Sequence, residues 1–243
     1  MEKTYSILLI GNSYTFFNDM PSKIFEQALR AAGYQARVRA ITKGGYKLSS
    51  FADPEDEYGA MVKKALDGSQ TYDFVILQEQ SYRSLVNAPA FYEAVRTLSK
   101  RIREIGAKPL LYATWGRKTG SDLLETHGWT NESMTWKLAA AYRAIGEELG
   151  IPVAYAGLAF YEGYTKHPEI DLYNPDLSHP SYAGSFLAAM TLLARMLDLD
   201  PTAVPFTGDL GATDAATLAS LAKKATFDAP VIPREYQTES VNV

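Results

Sequence analysis

The chain has 243 residues, a length typical of one α/β domain, and its 47% hydrophobic and 21% charged residues can bury a full core. The net charge of −4, with no dense stripe of Lys or Arg, gives no reason to expect a nucleic-acid partner. Because the chain contains no cysteine, disulfides, Cys-ligated metals and a cysteine nucleophile are excluded.

The N-terminus has no recognisable signal peptide. Glu2 and Lys3 lead towards the apolar stretch Ile7–Ile10, which is far shorter than the hydrophobic region of a secretion signal. No stretch approaches the roughly 18 apolar residues of a membrane span. We therefore expect no membrane span and a cytoplasmic location by default. A periplasmic or secreted location is the alternative if a leader has been removed, and the oligomeric state stays open.

The N-terminal half alternates strands with helices. Ile7–Ile10 predicts a strand buried on both faces, and Gly11-Asn12-Ser13 closes it as a strand-to-helix turn. Then follow a helix over 18–33, a strand over 36–41, a helix over 54–66 and a strand over 72–77. The helix over 54–66 is expected to turn Met61 towards the core.

The C-terminal half continues the alternation. It predicts a helix over 91–105, a strand over 109–113, an irregular loop over 117–132, a helix over 134–149 and a strand over 151–155. A long loop follows, then a helix over 183–197 and another over 213–225. We expect a single domain over 1–243, with its core at 5–197, and a C-terminal helix and Pro-rich tail at 198–243 packed on that core.

The polar clusters of the chain come where predicted strands end. They lie at 11–13, 43–45, 78–81 and 115–117. Strands that alternate with helices favour a parallel sheet covered on both faces, and the carboxyl ends of its strands meet at one edge. The four clusters are therefore expected to converge on one site.

Ser13 can act as a nucleophile there or cap a helix, and capping is the commoner role of a lone Ser after a strand. A serine nucleophile needs a base, which is usually a His held by a carboxylate. Of the three histidines, His179 follows Asp176 by three residues in a turn, a spacing that can place the carboxylate beside the ring. The alternative is that Asp176 caps the turn and His179 is an exposed residue where a helix starts.

The other two histidines are weaker candidates. His167, with Asp171 four residues later, is the reserve base. His127 is expected at the surface or in a pocket wall.

Acyl transfer also needs donors for the oxyanion. The backbone N–H groups of Ser13 and Gly45 and the side-chain amide of Gln80 or Gln78 are the candidates, although Gly45 can simply belong to a flexible turn. Glu79 would be costly to bury without a partner, so it is expected to form hydrogen bonds within its loop or to point outwards.

These residues resemble the blocks of the SGNH (GDSL-type) hydrolase superfamily. Gly11-Asn12-Ser13-Tyr14 resembles the Gly-Asp-Ser-Leu block, and Asp176 and His179 resemble the last block, which completes the triad. Gly45 falls where the oxyanion glycine of the superfamily lies. The third block, normally Gly-x-Asn-Asp, is here Gln78-Glu79-Gln80-Ser81, which lacks the Asn of the family name. Gln80 aligns with that Asn, although Gln78 could be the residue that reaches the site.

The resemblance spans residues 5 to 197 and is greatest to a branch of largely unknown function. It implies a three-layer α/β/α sandwich with a flavodoxin-like sheet of five parallel strands in the order 2-1-3-4-5. It also implies a serine ester hydrolase that uses Ser13, His179 and Asp176, with no metal and no cofactor.

The substrate expected from the resemblance and from the aromatic content is a small-molecule or glycan ester with a short acyl group, such as acetyl on a carbohydrate. Aromatic residues near the expected site could line its pocket, although ordinary packing is the alternative for each: Tyr14, Phe16, Phe17, Tyr82 and Trp115. Two other functions stay open. One is a carbohydrate-binding module that keeps the fold without turnover; the other is a nucleotide or phosphate binder, disfavoured because no Gly-x-Gly-x-x-Gly or P-loop motif is present.

Overall fold

The computed structural model describes residues 4–228 and 231–237. These residues form one five-stranded parallel sheet in the order β2-β1-β3-β4-β5, which confirms the predicted fold. The strands are β1 (Thr4–Gly11), β2 (Gln35–Thr42), β3 (Phe74–Leu77), β4 (Lys108–Tyr112) and β5 (Val153–Ala154).

Helices cover both faces of the sheet. Their bounds are α1 (Ser13–Phe16), α2 (Glu26–Ala31), α3 (Leu48–Ala52), α4 (Glu57–Ala65), α5 (Arg83–Val86), α6 (Ala88–Glu104), α7 (Asp122–His127), α8 (Asn131–Leu149), α9 (Ala156–Lys166), α10 (Tyr182–Leu197) and α11 (Ala212–Phe227). Short 3₁₀ turns lie at Phe17–Asp19, Pro201–Ala203 and Arg234–Tyr236, and Met20–Phe25 is π-helical.

The apolar side chains of β1 point to both faces of the sheet, and a helical layer buries them on each face. Ile7 and Leu9 pack into one hydrophobic core with α10 and α11, whereas Leu8 and Ile10 pack into the other with α3 and α6. Successive side chains of a strand point to opposite faces, so a strand with neighbours on both sides and helices on both faces is apolar where it is buried, here over Ile7–Ile10.

The register aligns the strand ends that carry polar residues. Ile10 pairs with Ile41 on one side and with Leu77 on the other. Gly11 and Gln78 therefore begin their polar segments at nearly the same height of the sheet. This is the edge where the sequence predicted a site.

Two predicted loops contain helices. α7 lies within 117–132, and α9 occupies the first part of the segment after β5. Gly157 and Gly163 allow α9 to pack closely against its neighbours. A Cβ on Gly157 would lie 2.0 Å from the Thr114 carbonyl oxygen, and one on Gly163 would lie 2.9 Å from Leu172 Cδ1.

The helix predicted over 54–66 is α4, and the short α3 precedes it as a helix that the sequence analysis did not predict. Gly59, Val62 and Ala65 form the buried face of α4, and Met61 is 49% exposed. The inward orientation of Met61 was therefore wrong. Gly59 belongs to the buried face because a Cβ there would lie 1.7 Å from the Asp53 carbonyl oxygen.

The C-terminal helix packs against the rest of the chain. Leu218 and Ala222 of α11 are fully buried in the same core as Ile7 and Leu9 of β1. Ile232, beyond α11, is also buried. The end of the predicted tail, 238–243, lies outside the described residues.

Candidate active site

The turn after β1 is built around Gly11 and Asn12. A Cβ on Gly11 would lie 2.4 Å from Thr15 Oγ1 and 2.6 Å from Gln78 Oε1, so only glycine fits there. Asn12 is the N-cap of α1, and its Oδ1 accepts the Tyr14 N–H at 3.2 Å. Asn12 rather than Ser13 is thus the capping residue, and the Ser13 hydroxyl is left for another role.

Ser13, His179 and Asp176 lie in one hydrogen-bonded line. His179 Nε2 is 2.8 Å from Ser13 Oγ, and His179 Nδ1 forms a short hydrogen bond with Asp176 Oδ2. Solvent can reach both of these side chains, because that of His179 is 27% exposed and that of Asp176 is 48% exposed. The structure therefore brings together the three residues named from sequence.

The turn that carries His179 is organised by Asp176. Its Oδ1 accepts the backbone N–H groups of Ser178 at 3.0 Å and His179 at 2.9 Å. Partial burial acts to raise the pKa of Asp176, but hydrogen bonds from the His179 ring and from these backbone N–H groups outweigh it and hold the pKa below its ordinary value. Asp176 therefore caps the turn and also holds the ring; the two roles considered from sequence coexist.

Two aromatic residues hold the imidazole of His179. Phe17 stacks on it with ring centroids 4.2 Å apart, and Tyr14 presents an edge at 5.6 Å. The neighbouring residue, Ser178, is fixed by Tyr14 Oη at 2.8 Å and by Trp115 Nε1, which donates to its carbonyl oxygen at 3.1 Å. The ring orientation is thus set by packing as well as by Asp176.

The other histidines lie in other hydrogen-bond and stacking arrangements. His167 Nδ1 is 3.1 Å from Glu169 Oε1, while Asp171 pairs with Lys118, so the reserve His–Asp pair does not form. His127 is exposed and stacks on Trp129 with ring centroids 4.3 Å apart.

The candidate oxyanion donors differ in their surroundings. Gly45 is exposed at φ +71° with nothing within 4 Å of the position that a Cβ would occupy, and the Ser13 N–H is at the first position of α1. Within the described residues, neither backbone N–H has a hydrogen-bond acceptor. Gln80 is half-buried, and its Nε2 is 3.5 Å from Ser81 Oγ.

Gln78 is poorly placed as a donor. Its side chain is fully buried, its Oε1 accepts the Asn12 N–H at 2.8 Å and the Thr15 hydroxyl at 2.9 Å, and its Nε2 donates to the Glu79 carbonyl oxygen. Because both ends of the Gln78 amide are engaged in closing the turn after β1, Gln80 is the better candidate for the side-chain donor.

Two of the predicted pocket residues belong to the core. Tyr14 is 3% exposed and Trp115 is fully buried, in a stack that continues to Phe160. Their assignment to a substrate pocket was wrong, because core packing uses their faces. Tyr82 is half-buried with its ring 5.9 Å from His127, and Phe16 is 37% exposed.

Sequence reasoning missed the structural partners of the triad. Asn12 and Ser178 are buried and hold the nucleophile turn and the histidine turn, respectively. The preference of Asn for helix N-caps could have identified Asn12. Ser178 had no signal, because its partner Tyr14 is remote in sequence. Glu79 does not point outwards: it is 1% exposed and accepts hydrogen bonds from Leu48 and Gln80.

The part of the chain that the structure describes shows neither a metal-binding cluster nor a membrane-spanning helix. No group of three or more His, Cys, Asp or Glu residues there could hold a metal ion. Across 4–228 and 231–237, none of the helices has the length and apolar character needed to cross a membrane.

Similarity to solved structures decides the family. A protein from Slackia heliotrinireducens, classed among the SGNH hydrolases, is 30% identical to this chain with a TM-score of 0.70; the match covers 80% of this chain and 100% of that one. The chain belongs to the SGNH hydrolase superfamily. No protein-family profile and no curated protein sequence matches this SGNH chain.

More distant solved structures share the SGNH fold. A DUF4886 family protein from Bacteroides uniformis is 18% identical with a TM-score of 0.76, and the match covers 92% of this chain and 95% of that one. Axe2, an acetylxylan esterase from Geobacillus stearothermophilus, is 15% identical with a TM-score of 0.57, covering 81% and 97%. At these identities the likeness is one of fold.

Proposed function

We propose that the protein is a serine ester hydrolase with Ser13 as nucleophile, His179 as general base and acid, and Asp176 as the residue that orients the imidazole. The observation that carries this proposal is the unbroken line from Ser13 Oγ through both ring nitrogens of His179 to the Asp176 carboxylate. This is the arrangement that makes a weakly nucleophilic hydroxyl reactive.

In the first half-reaction, Ser13 Oγ attacks the ester carbonyl carbon while His179 Nε2 takes the hydroxyl proton. His179 then gives this proton to the departing alkoxide, which leaves as an alcohol. In the second half-reaction a water molecule, deprotonated by His179, attacks the acyl carbonyl carbon. The bond from this carbon to Ser13 Oγ then breaks, His179 returns the proton to Ser13 Oγ, and the carboxylic acid leaves. Asp176 stays ionised throughout and stabilises the imidazolium, in keeping with its lowered pKa.

The oxyanion is proposed to be held by the Ser13 and Gly45 backbone N–H groups and by the Gln80 amide. The two N–H groups have no acceptor within the described residues, which supports this role. Donors aimed at the developing charge before reaction are worth about 10²- to 10³-fold each in turnover. Gln80→Ala should therefore be slow but measurable.

The substrate is proposed to be a small-molecule or glycan ester with a short acyl group, acetyl above all. Fold similarity to acetylxylan esterases supports this choice. Tyr82 and Phe16 are exposed enough to contact a sugar ring, whereas Tyr14 and Trp115 are buried and cannot contact one.

The proposal is tested by hydrolysis of p-nitrophenyl esters of increasing acyl length, comparing wild type with Ser13→Ala and His179→Ala. We expect activity that falls with acyl length and is lost in both variants, while His167→Ala, the histidine that contacts Glu169, keeps wild-type activity. A preference for acyl chains of eight or more carbons would overturn the short-acyl assignment. A folded wild type that neither turns over nor reacts with a fluorophosphonate would instead indicate a carbohydrate-binding module.

A further inference from the structure

Glu79 is a buried carboxyl group that the proposed reaction does not use. It directly follows Gln78 at the end of β3 and is 1% exposed. A buried acid without a partner is costly, so its contacts indicate what it does.

One oxygen of Glu79 connects two separate loops. Oε1 accepts the Leu48 N–H at 3.0 Å and the Gln80 N–H at 2.6 Å. Leu48 is the first residue of α3 and lies three residues after Gly45, and Lys47, the N-cap of α3, forms no side-chain capping bond. Glu79 therefore supplies the capping acceptor that α3 otherwise lacks.

The main chain of Glu79 is itself fixed. Its N–H donates to Tyr142 Oη at 2.9 Å, and its carbonyl oxygen accepts the Gln78 side-chain amide. Tyr142 is fully buried in α8. The carboxyl group is thus anchored to the core, and the two loops are held to it.

We propose that Glu79 is a positioning residue for ester hydrolysis: its carboxylate ties the Gly45 turn to the backbone of Gln80, so that both oxyanion donors are presented in one fixed geometry. This inference rests on the proposed function, because it assigns Glu79 a role only through those two donors. Small displacements of groups that act at the transition state lower the rate strongly, even when substrate binding is unchanged.

The groups that face Glu79 determine how its contacts respond to pH. Burial raises the pKa of Glu79 to about 7, against the opposing effects of the Gln80 and Leu48 N–H groups and of the Arg83 and Lys47 charges. Tyr142 faces it with a phenol whose pKa is raised by burial and by the Glu79 charge, so it stays neutral. As pH falls below about 7, Glu79 gains a proton and becomes a weaker acceptor for both N–H groups.

The test compares Glu79→Ala, Glu79→Gln, Gln80→Ala and the Glu79→Ala/Gln80→Ala double variant on p-nitrophenyl acetate. Rates are divided by the concentration of active sites titrated with a fluorophosphonate, so that a loss of folded protein does not lower the kcat obtained. Ser99→Ala is the matched control, because Ser99 is also a buried polar residue but lies in α6, and its hydroxyl donates to the Arg96 carbonyl oxygen.

We expect Glu79→Ala to lower kcat per active site by about 10- to 100-fold with little change in KM. Glu79→Gln keeps a carbonyl acceptor and should recover most of this loss, with a weaker dependence of kcat on pH near 7 than wild type. The double variant should lose less than the product of the two single losses, because Glu79 acts in part through Gln80.

Three outcomes separate the possible failures. If wild type is active and Glu79→Ala keeps its kcat per active site, Glu79 serves stability alone and the positioning role is overturned. If the two single losses multiply in the double variant, the action through Gln80 is overturned. If wild type itself neither hydrolyses the ester nor reacts with the fluorophosphonate, the proposed function fails, and this inference fails with it.

Discussion

The two sides of the Ser13–His179 hydrogen bond are held in different ways. Ser13 follows a turn whose polar side chains are buried: Asn12 is 1% exposed and Gln78 fully buried, and each makes hydrogen bonds to backbone groups. The His179 ring is held by Asp176, whose side chain is 48% exposed, and by the ring of Phe17. The preceding Ser178 is anchored in the core by Tyr14 and Trp115. The proposed nucleophile is thus fixed by several buried hydrogen bonds, whereas the orientation of the proposed base depends on a few ring contacts that single substitutions can remove.

The largest effect is expected on the histidine side. Asp176→Asn should lower kcat on the order of 10³-fold, because the amide stabilises neither the imidazolium nor the required tautomer. The measurement is kcat on p-nitrophenyl acetate, with Asp171→Asn as the control, since Asp171 pairs with Lys118 instead. An Asp176→Asn enzyme within a few-fold of wild type would contradict the role of Asp176.

The burial of Glu79, which directly follows Gln78, should be revealed by the pH dependence of the free energy of unfolding. The pKa of Glu79 is about 7 in the folded protein, above its ordinary value of 4.5. Between these values the folded state binds more protons than the unfolded state, so this group makes the protein less stable as pH rises, by about 3 kcal/mol in total.

Glu79→Gln should remove that slope. Urea unfolding at pH 5 and pH 8 would show a smaller fall in the free energy of unfolding for Glu79→Gln than for wild type. Glu93→Gln, an exposed substitution on α6, is the control and should keep the wild-type slope. Equal slopes in wild type and Glu79→Gln would contradict the raised pKa.

Gly11→Ala tests how tightly the buried turn is packed. The added Cβ would meet Thr15 Oγ1 and Gln78 Oε1, so we expect a loss of about 2 kcal/mol in the free energy of unfolding. Gly211→Ala is a matched control, because nothing lies within 4 Å of the Cβ position there. Chemical denaturation of both variants makes the comparison, and equal midpoints would refute the tight packing.

The smallest effect is expected at Phe17. Phe17→Ala removes the ring stacked on His179 but leaves the bond to Asp176, so kcat should fall by roughly 10-fold or less, in line with about 1 kcal/mol for such a ring contact. Phe17→Leu should recover part of the loss by restoring apolar contact. A loss as large as that of Asp176→Asn would mean that packing, rather than the carboxylate, orients the ring.

Local patterns predicted the strands and the ends where polar residues gather. Ile7–Ile10 predicted a central strand, because a short continuous apolar run that ends in a Gly-containing turn is typical of a strand buried on both faces. The short spacing of Asp176 and His179 made their contact predictable, because the turn itself brings them together.

Residues whose role depends on remote partners could not be predicted in this way. Tyr14 and Trp115 were expected beside a strand end, but they stack on each other, and Trp115 also stacks on Phe160 of α9, a helix in a segment predicted as a loop. Met61 had the right residue type for the core, and the tight packing of Gly59 decided the face of α4 instead. The role of Glu79 depends on the hydrogen bond that it accepts from Leu48, a residue that is remote in sequence and that only the fold brings near.

The fluorescence of Trp115 can report on the turn that carries His179. It is fully buried and donates to the carbonyl oxygen of Ser178, the residue before His179, whereas Trp129 and Trp136 are half-buried. A buried indole emits at shorter wavelength than exposed ones, and its emission is sensitive to the loss of such a bond. If the proposed acyl-enzyme forms at Ser13 and displaces the histidine turn, intrinsic fluorescence is expected to report that displacement with no added label.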